Sequence, residues 1–142
     1  MFFYIISPPY DTENFNENIF RKIVNIIPVK FFQFRPKHKE LDNREKFVKK
    51  FHSPFLKICE EKKIKLIIND DFEIAKKFYF HGIHLGQSDE NCVDAKKKFG
   101  KNFIVGVSCS DSIDYYRKAE RNGADYVAFG PMYKTMSKLK KV

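Results

Sequence analysis

Short runs of β-branched and aromatic residues alternate along this chain with longer stretches in which apolar residues return every three or four positions, and turn-forming residues separate the two. Runs of the first kind predict strands, and the 3.6-residue period predicts helices. The first run, residues 2–7, stops at Pro8 and Pro9. Phe15, Ile19, Ile23 and Ile26 then recur at helical spacing until Pro28. A second strand, Val29–Phe34, contains Gln33 and leads into Arg35, Pro36 and Lys37. Leu41, Arg44, Val48, Phe51, Phe55 and Ile58 mark one face of a long helical region, with Pro54 kinking or dividing it. Further strands are predicted at 64–68, Gly82–Leu85, 103–107 and Tyr126–Phe129. Between them lie helices at 71–79, at 89–99 with Gly100 as its stop, and at 111–122 closed by Gly123.

Six strands alternating with five helices are the signature of a parallel α/β sheet, open or closed into a barrel. In either case the functional groups collect just beyond the carboxyl ends of the strands. Those positions hold Gln33, Arg35, Lys37, Asn69, Asp70, Asp89, Ser108 and, after the sixth strand, Thr135, Ser137 and Lys138. Two carboxylates that follow neighbouring parallel strands lie at one sheet edge and can share a hard cation. Magnesium takes one or two protein carboxylates and leaves its other positions to water and substrate phosphates, so Asp70 and Asp89 suit a phosphorylated substrate. The spacing equally allows Asp70 or Asp71, and Asp89, to be simple helix caps.

Composition narrows the field. A chain of 142 residues that is 43% hydrophobic has enough material for one domain with a core. The 27 basic and 18 acidic residues give a formal +9, which favours anionic partners. The lysines are nevertheless spread over predicted helices, at Lys49 and Lys50, Lys62 and Lys63, Lys76 and Lys77, and Lys96 to Lys98, as solvated faces are, so phosphorylated small molecules are expected rather than nucleic acid. Cys59, Cys92 and Cys109 have no paired spacing, which fits a reducing compartment and argues against a disulfide scaffold or a zinc site. Residues 1–7 lack a basic leader and no stretch approaches a membrane span, so the expected location is cytoplasmic with no membrane partner. Neither a GxGxxG fingerprint nor a GxxxxGK[ST] loop is present. His81 and His84, three apart on a strand, face opposite ways and do not make a metal pair, while Cys109 reads as a buried apolar thiol as readily as a nucleophile.

Taken together, the post-strand residues resemble the thiamine phosphate synthase family. The matching stretches are Phe-Gln-Phe-Arg-Pro-Lys at 32–37, Ile-Ile-Asn-Asp at 67–70, Gly-Ile-His-Leu-Gly-Gln-Ser-Asp at 82–89, Gly-Val-Ser at 106–108 and Gly-Ala-Asp-Tyr-Val-Ala-Phe-Gly-Pro at 123–131. The resemblance implies a (β/α)8 barrel and a transferase of thiamine biosynthesis. Such an enzyme joins 4-amino-5-hydroxymethyl-2-methylpyrimidine pyrophosphate to 4-methyl-5-hydroxyethylthiazole phosphate, releasing pyrophosphate. By motif, Asp70 and Asp89 would bind magnesium; Arg35, Lys37, Asn69 and Ser108 would hold the pyrophosphate; Gln33 would touch the pyrimidine. Thr135 and Ser137 would face the thiazole phosphate. Arg35, Lys37 and Lys138 would be the catalytic cations on the leaving group, with Lys140 or Lys141 able to take the part of Lys138 if the tail aligns with a shift.

Three departures from the family pattern stand out. Asp71 occupies a position that is often basic, next to the expected metal ligand. Ser110 stands where the related thiazole tautomerases look to carry a histidine, which leaves a catalytically silent or tautomerase-like homologue that binds a phosphorylated thiazole as the alternative. The chain also stops at Val142 after about six strand-helix units, two short of the family barrel, so a barrel domain over 1–142 is expected to be incomplete. Unpaired sheet edges in such a domain invite pairing with another chain, including a second copy of itself.

Overall fold

The structure is a computed structural model, and it describes residues 1–86 and 92–131. Six strands alternate with five helices among these residues: β1 (Phe3–Ile6), α1 (Glu17–Ile26), β2 (Val29–Phe34), α2 (Leu41–Glu61), β3 (Lys65–Asn69), α3 (Phe72–Lys77), β4 (Gly82–Leu85), α4 (Cys92–Phe99), β5 (Ile104–Ser110), α5 (Ile113–Arg121) and β6 (Tyr126–Phe129). The alternation read from the hydrophobic pattern is thus the observed one. The chain divides into two compact units, Met1–His84 and Leu85–Val142.

In the first unit every strand pairs in parallel with the next one in the chain. Ile6 lies beside Gln33, Gln33 beside Ile67, and Asn69 beside His84. Successive strand residues point to opposite faces, so this register sorts the side chains into two sets. Phe32, Phe34, Leu66, Ile68 and Ile83 share one face and are at most 1% exposed; they form the core under the helices. Tyr4, Gln33, Asn69 and His84 share the other. A strand that is apolar on both sides would read as a continuous run; the polar residues inside these runs mark the second face.

The core of this unit is aromatic. Phe20 packs against Phe32 with ring centroids 4.4 Å apart, Phe15 against Phe51 at 4.6 Å, and Phe55 against Phe15 and Phe20, each at 4.9 Å. Tilted and edge-on pairs of this kind add about 0.5–1.5 kcal/mol each beyond the area they bury. Helix α1 starts where the Asn16 side chain accepts a hydrogen bond from Ile19 N–H at 3.0 Å, and it ends before Pro28. Helix α2 runs unbroken through Pro54, so the proline does not divide it. Buried Phe51 before it and Phe55 and Ile58 after it pin both halves to the core, which outweighs the missing backbone hydrogen bond.

In the second unit β5 pairs in parallel with β6, with Gly106 beside Tyr126 and Ser108 beside Ala128. Gly106 leaves room for its neighbour: a Cβ there would meet the Tyr126 ring at 1.9 Å. Asp125 Oδ2 ties the unit together by accepting from Val105 N–H at 2.7 Å and from Lys96 Nζ at 2.6 Å. Strand β5 extends three residues beyond the predicted 103–107, so Ser108 lies within the strand rather than after it.

Candidate active site

The carboxyl ends of β1 to β4 gather polar groups on the face opposite the aromatic core. Gln33 is 2% exposed, and its Nε2 donates to the Tyr4 hydroxyl at 2.9 Å. The Tyr4 ring stacks on Phe31 at 5.4 Å and meets the His84 ring edge-on at 6.4 Å. His84 is buried, and burial holds its imidazole below the ordinary value; the nearby Asp70 carboxylate opposes that shift and the Arg35 guanidinium adds to it. At neutral pH His84 is therefore an uncharged ring that senses Asp70 and Arg35 together. Gln33, Tyr4 and His84 form the floor of this face, with the Tyr4 and His84 rings at 83° to one another and amide, hydroxyl and imidazole groups among them.

The cationic loop after β2 is spliced to the loop after β1. Ser7 N–H donates to Gln33 O at 2.8 Å, Arg35 N–H donates to Ser7 Oγ at 2.9 Å, and Lys37 N–H donates to Pro9 O at 3.0 Å. Ser7 is 5% exposed, so the two bonds it makes are sheltered, whereas Lys37 is exposed. The backbones of two basic residues are thereby fixed at the strand edge.

At the end of β3, Asp70 adopts a left-handed backbone with φ of 56°, a conformation that non-glycine residues seldom take and that Asp tolerates best. Its N–H donates to His84 O at 2.9 Å, and its Oδ2 accepts from Asn69 Nδ2 at 2.7 Å. Asp70 is exposed. It is not a cap; the capping residue is Asp71, whose Oδ1 accepts from Ile74 N–H at 3.0 Å. Asp71 does not load negative charge onto the site either, because its other oxygen pairs with Arg44 Nε at 2.6 Å. An exposed carboxylate braced by a neighbouring amide is a ligand of the kind magnesium takes in ones and twos beside phosphate oxygens.

Gln33, Arg35, Lys37, Asn69 and Asp70 therefore come together in the first unit. Ser108 lies in the second, half-buried, on the same face of its strands as Gly106 and Tyr126. Asp89, Thr135, Ser137 and Lys138, with Lys140 and Lys141, lie outside the described residues. Cys109 is fully buried and its thiol is pushed up by burial, so it is an inert core group rather than a nucleophile. Burial pushes Cys59 up to about 12 and raises Cys92 as well. Sequence reasoning missed Tyr4, Ser7 and the His84 ring as members of the site. The available signal was parity: Tyr4 and His84 share the strand phase that puts Gln33 and Asn69 on one face.

A family model described as thiamine monophosphate synthase matches residues 3–141. The chain belongs to the thiamine monophosphate synthase family. It is 40% identical over 141 residues to the thiamine-phosphate synthase of Pelagibacter ubique (strain HTCC1062), a match that covers 99% of this chain and 65% of that protein. The thiamine-phosphate synthase of Lactococcus lactis subsp. cremoris (strain MG1363) is 35% identical over 136 residues, covering 89% of this chain and 60% of that one. The chain thus spans less than two thirds of the length of these relatives. Among solved structures, thiamine phosphate pyrophosphorylase from Pyrococcus furiosus superposes with a TM-score of 0.71 at 22% identity, over 92% of this chain and 60% of that chain. That likeness shows the fold, an α/β fold of the barrel type, here with six strands among the described residues. The thiamine monophosphate synthase family is the one that the motifs at 32–37, 67–70 and 82–86 resemble, and these motifs carry the residues at the strand edge just described. Among the described residues no helix is long and apolar enough to cross a membrane.

Proposed function

We propose that this chain carries the pyrimidine- and pyrophosphate-binding part of a thiamine phosphate synthase, the transferase that condenses hydroxymethylpyrimidine pyrophosphate with hydroxyethylthiazole phosphate. The observation that carries this reading is the gathering of an aromatic and amide floor and a set of cationic and amide groups at the carboxyl ends of β1 to β4. Tyr4, Gln33 and His84 make the floor, and Arg35, Lys37, Asn69 and Asp70 stand at its edge. A planar heteroaromatic ring would stack on one of these aromatic faces, and Gln33, with Nε2 engaged by Tyr4, offers Oε1 to a ring amine.

In this reading Arg35 and Lys37 neutralise the charge that builds on departing pyrophosphate, and Asn69 and Ser108 donate to its oxygens. Departure leaves a pyrimidine-centred cation, which a charged imidazolium against the ring would oppose; burial disfavours that form of His84. The thiazole nitrogen then forms the new carbon–nitrogen bond with that cation. The protein's work is alignment and charge stabilisation. Asp70 and Asp89 would hold magnesium, which when bound supplies further neutralisation of the pyrophosphate charge. Thr135 and Ser137 would face the thiazole phosphate, and Lys138 would reach the pyrophosphate.

The test is pyrophosphate release by the purified chain with both substrates, with and without magnesium, beside calorimetric titration with pyrophosphate alone. Release that requires both substrates and the metal is the expected result, and Asp70→Ala should abolish it, with at least a hundredfold loss, while the chain stays folded. Binding without release identifies a catalytically silent homologue. A folded chain that neither binds pyrophosphate nor releases it would overturn the reading.

A further inference from the structure

The segment between β2 and α2 carries Arg35 and Lys37, and it is held from two sides. On one side are the backbone bonds to Ser7 and Pro9, with the His38 ring edge-on to Tyr10 at 5.0 Å. On the other is a single guanidinium. Arg44, in the first turn of α2, donates through Nη1 to the carbonyls of His38 at 3.1 Å and Lys39 at 2.7 Å, and through Nε to Asp71 Oδ2. Asp71 in turn caps α3 and directly follows Asp70. The pair is sheltered, with side chains 24% and 10% exposed, whereas the Arg21–Glu61 pair between α1 and α2 is 44% and 41% exposed.

We infer that Arg44 and Asp71 are a positioning pair that fixes the Arg35–Lys37 segment against the Asn69–Asp70 corner, so that the two halves of the anion rim are set before any ligand arrives. This rests on the function proposed above. A rim made of two independent loops must be ordered when the anion binds, and that ordering subtracts from affinity. One planar guanidinium with donors in fixed directions can engage two carbonyls and a carboxylate together; a lysine ammonium on a flexible stem cannot hold all three in one geometry. The arrangement also accounts for the acidic residue beside the proposed metal ligand, since the Asp71 charge is taken up by Arg44 and its second oxygen by the helix cap.

Two variants separate positioning from capping. Asp71→Asn keeps an Oδ1 to cap α3 and removes the charge facing Arg44, and Arg44→Met keeps a long stem without donors. In the whole 142-residue chain, both should speed amide exchange of residues 37–40, and both should weaken magnesium-pyrophosphate binding by about tenfold. The double variant should be no worse than Arg44→Met alone, because the two residues act as a unit. Arg21→Met, which breaks the exposed pair, should lower the unfolding midpoint and leave both readouts unchanged. Wild-type amide exchange at residues 37–40 in folded Arg44→Met would overturn the inference, as would wild-type pyrophosphate affinity in that variant. If the unmodified chain shows no affinity for pyrophosphate, the functional reading fails; the exchange measurement still decides whether Arg44 and Asp71 order the segment.

Discussion

The Tyr4 hydroxyl decides which end of the Gln33 amide faces the floor of the site. With Nε2 engaged on Tyr4, Gln33 presents an acceptor; without that bond the amide can turn over and present donors. Tyr4→Phe removes a half-buried hydrogen bond worth about 1 kcal/mol, and denaturant unfolding should report that loss. It should also weaken binding of the pyrimidine substrate more than binding of pyrophosphate, a split that calorimetry with the two ligands measures directly. Gly106 makes a second case. A methyl group there requires the Tyr126 ring to move, so Gly106→Ala should cost about 1–3 kcal/mol in denaturant unfolding, and the cost should largely vanish when Tyr126 is also changed to Leu. At this scale the sequence was legible wherever polarity interrupted an apolar run, as at Gln33, or ended one, as at Asn69 and Asp70. Tyr4 and Ser7 were hidden because an aromatic in a strand and a serine before two prolines have sufficient local explanations. The left-handed backbone of Asp70 was not read from the sequence, because Asp permits that conformation without requiring it; the bond from its N–H to His84 O accompanies it in the fold.

Among the elements, strand order and helix order followed directly from periodicity, and the departures have physical causes. Pro54 reads as a breaker by local propensity, but packing on both sides of it prevails. Asp71 left a choice between a cap and a charge beside the proposed metal ligand, and the α3 N-terminus shows it as a cap, with its second oxygen on Arg44. The entry to β4 carries a pH dependence. His81 Nδ1 accepts from Leu66 N–H at 3.0 Å, while His81 N–H donates to Leu66 O at 2.9 Å, so the imidazole extends the β3–β4 ladder by one rung. Burial lowers its proton affinity, Lys65 lowers it further, and Glu60 acts in the opposite sense. A protonated Nδ1 cannot accept, so the unfolded chain binds this proton more tightly than the folded one. Stability is therefore complete above the ordinary histidine value of 6.5 and falls as pH drops below it. His84 is shifted the same way and adds to the same slope. His81→Asn retains an acceptor but does not titrate, so the fall in unfolding free energy between about pH 7.5 and pH 5 should be shallower than in the unmodified chain, with the part due to His84 remaining. An unchanged slope would show that the His81 bond does not form in solution.

Over the whole molecule, net charge alone did not point to Arg35 and Lys37. Arg35 and Lys37 are two of 27 basic residues, and most of the others decorate helices; Lys76 pairs with Glu73 and Lys77 with Glu45. What singled out the pair was position after a strand, a topological property, not charge density. The same topology shapes how the protein is made. Each strand of the first unit pairs with the next one in the chain, so Tyr4, Gln33, Arg35, Asn69, Asp70 and His84 all belong to its first 84 residues. A ribosome building this chain releases these residues while the later strands are still being synthesised. The nascent first unit can then begin to fold around its phenylalanine core ahead of the rest of the polypeptide.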